Sequence, residues 1–199
     1  MTAFVLATAN PDKAREITQI LGSSVTLRPR PPHMAAVEET GESLEDNARL
    51  KAVAVVEATG MAAIADDTGL EVDALGGAPG VHSSRYAGPG ASYADNVAKL
   101  AAALWGIDGP EARRARFRTV AIARWPGGAE VVAHGTVEGR IAEERRGDNG
   151  FGYDALFVAD EAGGATFGEL DAAAKHGVSH RGRAFRNLAA ELARGHHLS

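Results

Sequence analysis

Two adjacent carboxylates, Asp66 and Asp67, follow an apolar run from Met61 to Ala65. Small residues come next, and a second apolar-rich run extends from Leu70 to Leu75. The pattern predicts a buried strand that ends at the carboxylates, where open α/β sheets place their ligands. Neighbouring carboxylates repel each other unless a cation or proton lies between them, and Mg²⁺ binds carboxylate oxygens together with substrate phosphates. The alternative is an ordinary turn, in which Asp and Gly serve the backbone geometry.

A candidate anion site lies near the start of the chain. Phe4 to Ala7 predict a strand, and Asn10 and Pro11 are typical of a helix N-cap and first helical position. The N-terminus of a helix favours an anion, so Lys13 in the first turn suits a phosphate. The alternative is a solvated lysine. The loop is not a P-loop, because it lacks the glycines and the Gly-Lys-Ser/Thr ending.

An acidic loop precedes a second predicted helix. Glu38 and Glu39 lie in the loop, and Ser43 is the expected N-cap of the helix. Asn47 and Lys51 are four residues apart, so they share one face. Taken alone, the two glutamates are typical of a solvated loop. The buried face of the helix is predicted to contain Ala48, Ala52, Val55 and Val56.

Arginines alternate with other residues in the middle of the chain. Arg114, Arg116 and Arg118 would lie on one face of a strand, which favours a half-solvated strand over a nucleic-acid patch. Pro126 to Gly128 predict the turn of an antiparallel hairpin.

The remaining candidate chemistry lies towards the C-terminus. Phe151 is flanked by glycines, which would let a flat base approach and stack on its ring, although an ordinary core aromatic is equally compatible. The segment from Lys175 to Arg183 gathers side chains that can donate to phosphates or to a base carbonyl. A final helix follows, and His196 and His197 are predicted to lie in a disordered tail.

Length and composition limit the class of protein. The 199 residues suggest one domain, or one domain with two lobes, over residues 1–199. The sequence has no cysteine, no basic region before its first apolar residues and no apolar run of about 18 residues, which predicts a cytoplasmic protein without a membrane span. The net charge of −5 argues against bulk nucleic-acid binding, whereas a small phosphate-bearing ligand fits a local basic site.

Taken together, five segments resemble the inosine-triphosphate pyrophosphatase family of nucleotide hydrolases, also called the Ham1-like family. Each motif is weak alone, but five in order along nearly the whole chain are specific. The segments are the Thr-x-Asn-x-x-Lys loop at Thr8–Lys13, the acidic loop and helix at Glu38–Gly41 and Glu45–Ala52, Ala-Asp-Asp-Thr-Gly-Leu at Ala65–Leu70 with Leu75–Gly80, Gly-Phe-Gly-Tyr-Asp at Gly150–Asp154, and Lys175 with Ser179–Gly182.

The resemblance implies a fold and a reaction. The fold is α/β, with an elongated, curved mixed sheet flanked by helices and two lobes around a central cleft, usually in a homodimer. The reaction is hydrolysis of ITP, dITP and XTP to the monophosphate and pyrophosphate, which depends mostly on positioning and charge neutralisation.

The resemblance also implies residue roles. Asp67 would accept a proton, and Mg²⁺ would bind Glu38 and Asp67, with Glu39 and Asp66 as further candidate ligands. Phe151 would stack on the base, and donors near the C-terminus would read its 6-oxo group. The substrate-binding residues implied are Thr8, Ala9, Asn10, Pro11, Asp12, Lys13, Lys51, Thr68, Phe151, Gly152, Tyr153, Asp154, Lys175, His180 and Arg181.

Two other functions are compatible with parts of this pattern. A nucleotide sensor would bind ITP or XTP without turnover, but a pure anion binder would not need the four carboxylates at positions 38, 39, 66 and 67. A septum-inhibitor (Maf-like) pyrophosphatase would act on modified pyrimidine nucleotides. The Gly-Phe-Gly-Tyr-Asp and Ser-His-Arg segments favour the purine family over it.

Overall fold

The computed structural model describes residues 2–195, so the prediction for His196 and His197 lies outside the described residues. This part of the chain forms helices and one seven-stranded sheet. The helices are α1 (Pro11–Leu21), α2 (Leu44–Thr59), α3 (Tyr93–Ala103), α4 (Ala172–Val178) and α5 (His180–Arg194). The strands are β1 (Ala3–Leu6), β2 (Thr26–Arg28), β3 (Ala63–Val72), β4 (Pro79–Gly80), β5 (Arg114–Arg124), β6 (Glu130–Ile141) and β7 (Phe157–Ala159).

The sheet is mixed. Its strand order is β2-β1-β3-β5-β6-β7, and β4 pairs with β3 outside that path. β1 is parallel to both β2 and β3, with Val5 opposite Ala63. β4 is antiparallel to β3, and β7 is antiparallel to β6. The predicted mixed sheet with flanking helices is therefore confirmed.

The chain divides into two compact units. The first unit contains residues 2–67, 119–135 and 181–195, and the second unit contains residues 68–118 and 136–180. Strand β3 passes from the first unit into the second after Asp67. None of the helices in residues 2–195 is both long and apolar enough to span a membrane.

In the first unit, helices cover both faces of the sheet. Successive strand residues point to opposite faces, and apolar residues occur on both. Phe4 and Ile64 pack in one cluster with residues of α1 and α5, whereas Val5, Ala63 and Ala65 pack in another with residues of α2. The four residues predicted for the inner face of α2 are all buried there. Positions 64 and 66 of β3 thus face α1 and α5, and positions 63, 65 and 67 face α2.

The second unit has its own core. Leu70 and Val72 from β3 pack with α3 and with aromatic rings of β5, β7 and the following loop. Three rings lie at its centre, and they belong to Phe117, Phe157 and Phe167.

Several local predictions are confirmed. Asn10 caps α1, Pro11 opens it, and Gly22 follows its last residue at a φ of 50°. Ser43 caps α2. The arginine strand is half-solvated, and Arg116 lies among the carboxylates of Glu71, Asp73 and Glu138.

The prediction that a strand ends at Asp66 is wrong. Strand β3 continues through both carboxylates to Val72, with Leu70 and Val72 fully buried. The strand tolerates the two buried acids because each lies against a lysine, so neither charge is left uncompensated.

Candidate active site

The two neighbouring carboxylates lie on opposite faces of β3. Asp66 pairs with Lys13 of α1, and Asp67 pairs with Lys51 of α2. This separation follows from the alternation of side chains along a strand. The adjacency of the two carboxylates in the sequence suggested one cation between them. The strand geometry instead favours a separate cation for each carboxylate.

On the α2 face, two carboxylates converge on one ammonium group. Lys51 Nζ donates to Asp67 Oδ1 at 2.7 Å and to Glu39 Oε1 at 3.1 Å. Burial raises the pKa of Asp67 above its ordinary value, against the attraction of Lys51. Burial also opposes the charge of Lys51, but the neighbouring carboxylates outweigh it and raise the pKa of the ammonium. The trio of Glu39, Lys51 and Asp67 carries a formal net charge of −1, so a further cation would be attracted to it.

The acidic loop is positioned by the start of α2. Asn47 is fully buried, and its Oδ1 accepts a hydrogen bond from the backbone N–H of Gly41 at 2.8 Å. A Cβ on Gly41 would lie 2.5 Å from the Cβ of Asp46, so the close approach requires glycine. With Gly41 held by Asn47, Glu39 contacts Lys51, whereas Glu38 is exposed.

On the α1 face, Asp66 lies among cations. Lys13 Nζ donates to Asp66 Oδ2 at 3.0 Å, and Arg181 Nε lies 3.7 Å from the same oxygen. Burial by itself raises the pKa of Asp66, but Lys13, Arg181 and Lys51 outweigh it and lower the pKa to about 2. The first-turn lysine of α1 thus faces a carboxylate, and its phosphate role stays a prediction.

Glu16 belongs to this cluster and was not foreseen from the sequence. Its Oε2 accepts a hydrogen bond from Arg181 Nη1 at 2.6 Å, and both residues are buried. Glu16 lies three residues after Lys13 on α1, so the two share a face of the helix. That spacing is the signal that could have identified it.

The Thr8–Lys13 loop is held by its own side chains. Asn10 Oδ1 accepts from the backbone N–H groups of Asp12 and Lys13, and Thr8 Oγ1 accepts from the N–H of Asn10. A cavity of about 330 Å³ adjoins the loop and is lined by Thr8, Ala9, Asn10 and Pro11, among others. Its phosphate-binding role stays a prediction.

In the second unit, Asp154 organises the glycine-rich aromatic loop. Asp154 Oδ2 accepts from the N–H of Phe151 at 2.7 Å and from Lys175 Nζ at 2.5 Å. Lys175 Nζ also lies 5.1 Å from the centroid of the Phe151 ring. Gly150 has a φ of 73°, and a Cβ there would lie 2.1 Å from Asp154 Oδ2, so a larger residue does not fit. Four of the predicted substrate-binding residues thus lie in one short segment, which runs from Phe151 through Gly152 and Tyr153 to Asp154.

Two further rings support this part of the second unit. Tyr153 donates from its hydroxyl to the carbonyl of Ser83 at 2.9 Å, and burial raises the pKa of the phenol. The His180 imidazole stacks on Phe117, with ring centroids 4.4 Å apart and planes at 17°. The loop, Lys175 and His180 therefore belong to the second unit, while Arg181 belongs to the first.

The distribution of carboxylates limits the metal that the chain can hold. Among residues 2–195, no three His, Asp or Glu side chains form a group that could hold a metal ion. Two carboxylates still suit Mg²⁺, which keeps several waters and uses one or two carboxylates plus substrate phosphates. Glu39 and Asp67, which already share one cationic group, are the pair that fits.

Comparison with known proteins agrees with the motif pattern. The sequence model of the Ham1 family matches residues 4–191. The chain belongs to the Ham1 family. Among its Ham1 relatives, the dITP/XTP pyrophosphatase of Nitratidesulfovibrio vulgaris is 47% identical over 194 residues, which cover 93% of each chain.

The match extends to solved structures and to longer proteins. The structure of a HAM1 protein from Coxiella burnetii has a TM-score of 0.86 and 38% identity, and covers 98% of this chain and 100% of that one. The chain also matches the dITP/XTP pyrophosphatase of Streptococcus agalactiae with 43% identity over 93% of its own residues. It spans only 58% of the length of that Ham1 relative.

Proposed function

We propose that this chain hydrolyses ITP, dITP and XTP to the nucleoside monophosphate and pyrophosphate. The observation that carries the proposal is the convergence of Glu39 and Asp67 on Lys51, in a chain whose Ham1-family relatives are named dITP/XTP pyrophosphatases. The oxygen of water bonds to phosphorus, and the P–O bond of the bridge between the α- and β-phosphates breaks, which releases pyrophosphate. Such a reaction needs positioning and charge neutralisation, which a cluster of acids and lysines supplies.

The metal proposed for the site is Mg²⁺. Glu39 and Asp67 would hold it, because both bond to the same Lys51 ammonium group whereas Glu38 is exposed. When bound, Mg²⁺ supplies charge neutralisation at the phosphates and lowers the pKa of a coordinated water. Asp66 remains a candidate only as a supporting group, since it lies on the other face of β3 with Lys13.

The chain's own residues perform the proton transfer and bind the phosphates. Asp67 is the proposed proton acceptor, as the family resemblance implies, because its carboxylate lies in the same cluster as Glu39 and Lys51. Lys13 and Lys51 would exchange carboxylate partners for phosphate oxygens, which are equally anionic. The Thr8–Lys13 loop and Thr68 are proposed to complete phosphate binding.

The base is proposed to bind residues of the second unit. Phe151 offers a half-buried ring, and Lys175 and His180 offer donors. Such donors match a 6-oxo purine, whereas the amino group of adenine would leave them unpaired, and mismatches of this kind give large discrimination. Arg181 was assigned to the base from the family resemblance. Its contacts with Glu16 and Asp66 favour a role beside the carboxylates instead.

The test is pyrophosphate release from a panel of nucleotides with and without Mg²⁺. The panel contains ITP, dITP, XTP, ATP, GTP and a modified pyrimidine triphosphate. We expect rapid release from the first three in Mg²⁺ and none in excess EDTA. Nucleotide binding without release would support a sensor instead, and preference for the pyrimidine would support a Maf-like enzyme. Full activity in EDTA would refute the proposed use of Mg²⁺.

Two further predictions concern the protein in solution. The resemblance implies a homodimer, and light scattering coupled to size-exclusion chromatography measures the mass that decides it. Localisation in the cytoplasm also stays a prediction, and cell fractionation tests it.

A further inference from the structure

Tyr93 is an exposed aromatic residue that contacts the proposed base site. It opens α3, and its ring centroid lies 5.6 Å from that of Phe151, with the planes 37° apart. Tyr93 is 42% exposed, whereas Trp105, just beyond the other end of the helix, is 91% exposed. The two aromatic residues differ because Tyr93 packs against Phe151, which is proposed to stack on the base.

The position of Tyr93 is fixed by the N-terminus of α3. Ser92 Oγ accepts from the N–H of Asp95 at 3.2 Å, and Asp95 Oδ2 accepts from the N–H of Ser92 at 2.9 Å. This reciprocal capping box surrounds Tyr93 and restrains its backbone. Farther along the helix, the buried Asn96 accepts from the N–H of Ala87 and donates to the carbonyl of Ser84. Tyr93 thus projects from a firmly anchored helix end.

Phe151 is restrained by its backbone and by Lys175, and Tyr93 restrains the ring from a different element. The N–H of Phe151 is held by Asp154, which is also bonded to Lys175. Tyr93 and Phe151 both line a cavity of about 250 Å³ together with Gly150 and Asn149. A flat ligand in this cavity would meet an aromatic corner made of two rings.

We propose that Tyr93 is a positioning residue that orients the Phe151 ring for a purine base. The proposal rests on the proposed function, because it takes Phe151 as the stacking partner of the base. Tilted aromatic pairs gain energy beyond the area that they bury, so loss of the tyrosine ring would free the phenylalanine ring to turn. The cost then falls on binding of the base and not on the chemical step.

The first test is binding of inosine 5′-monophosphate to the full chain, measured by calorimetry. The energy of an aromatic pair sets the upper limit of what losing the orientation of the Phe151 ring can cost, which corresponds to roughly a 3- to 10-fold change in affinity. We expect Tyr93→Ala to weaken binding of the monophosphate by about that factor, and Tyr93→Phe to bind within about twofold of the wild type, since the ring is retained. Trp105→Ala removes the exposed ring just beyond the other end of α3, so it is the matched control and should leave the affinity unchanged.

The second test separates positioning from a general structural effect. Steady-state kinetics should show that Tyr93→Ala raises KM for ITP by the same factor as the dissociation constant of the monophosphate, with kcat unchanged. The melting temperature of the variant should also be unchanged. Unchanged monophosphate affinity in Tyr93→Ala, with normal ITP turnover, would refute the inference and leave the proposed function standing. Tyr93→Phe behaving like Tyr93→Ala would also refute it, because the ring would then not be the cause. No binding of the monophosphate by the wild-type chain, together with no turnover, would refute both.

Discussion

Replacing Arg181 by methionine tests the buried ion pair of the first unit. Arg181 Nη1 and Glu16 Oε2 are 2.6 Å apart, and their side chains are 3% and 9% exposed. Loss of one partner leaves the other charge in a region of low dielectric, which typically destabilises a protein by about 3–5 kcal/mol. We expect Arg181→Met to lower the free energy of unfolding by that amount.

Helix α1, which carries Glu16, provides the matched control. Arg15 Nη2 and Asp12 Oδ1 are also 2.6 Å apart, but their side chains are 60% and 25% exposed. Solvent screens such a pair, so Arg15→Met should cost at most about 1 kcal/mol. Urea unfolding at pH 7, followed by circular dichroism, measures both variants, and equal slopes against urea would show that the unfolded state is unchanged.

A third variant distinguishes the pair from simple loss of packing. The double variant Glu16→Met/Arg181→Met removes both charges of the pair and leaves Asp66 with Lys13 as its cation. It should recover the part of the lost stability that comes from the uncompensated Glu16 charge, since apolar replacement of a whole buried pair is often neutral or stabilising. A loss for Arg181→Met no larger than for Arg15→Met would refute the reasoning. So would a double variant less stable than Arg181→Met alone.

The Arg181 variant also separates the two proposed roles of this residue. If Arg181 reads the base, kcat/KM for ITP should fall by roughly one to two orders of magnitude and that for ATP by much less. Equal losses for ITP and ATP would place Arg181 with the carboxylates and phosphates, as its contacts favour.

Three further predictions follow from the carboxylates. Glu39→Gln should raise the Mg²⁺ concentration for half-maximal pyrophosphate release by at least about tenfold, whereas Glu38→Gln should change it less than twofold; the reverse result would assign the metal to the exposed glutamate. Asp67→Asn should retain less than about a tenth of kcat while calorimetry still detects ITP binding, and higher residual turnover would remove Asp67 as the proton acceptor. The pKa of Asp66 is lowered to about 2, so its contribution to stability is complete above about pH 4 and is lost as the pH falls through about 2. Acid unfolding of Asp66→Asn should therefore lose the part of the pH dependence that arises between those values, and an unchanged profile would contradict the assigned pKa.

The sequence predicted those features that depend on near neighbours in the chain. The caps at Asn10 and Ser43 are local hydrogen bonds between residues two or three positions apart, and both are confirmed. The alternation of the arginine strand is equally local, since it needs only the twofold period of a strand. The mixed sheet was not predicted from local pattern, because it was implied by the resemblance of five short segments to the family.

Features that depend on distant pairing were not predictable from one sequence. Glu16 and Arg181 are separated by 165 positions, and nothing in either segment indicates the other. The continuation of β3 through Asp66 and Asp67 was missed because the lysines that compensate the acids come from two different helices. The choice between Glu38 and Glu39 likewise depends on how Asn47 holds Gly41, which is a contact of the folded chain.

The alternation of β3 makes this segment sensitive to length as well as to composition. A deletion of one residue between Ala63 and Asp66 would rotate the remaining carboxylates to the opposite helices, so Asp67 would face α1 and lose Lys51. A substitution alters one contact, whereas such a deletion exchanges the two chemical environments at once. Insertions and deletions should therefore be eliminated by selection from β3 and accepted in the proline-containing loop 29–37, where no strand carries a register. The number of residues before the two aspartates in β3 thus decides which helix each carboxylate faces.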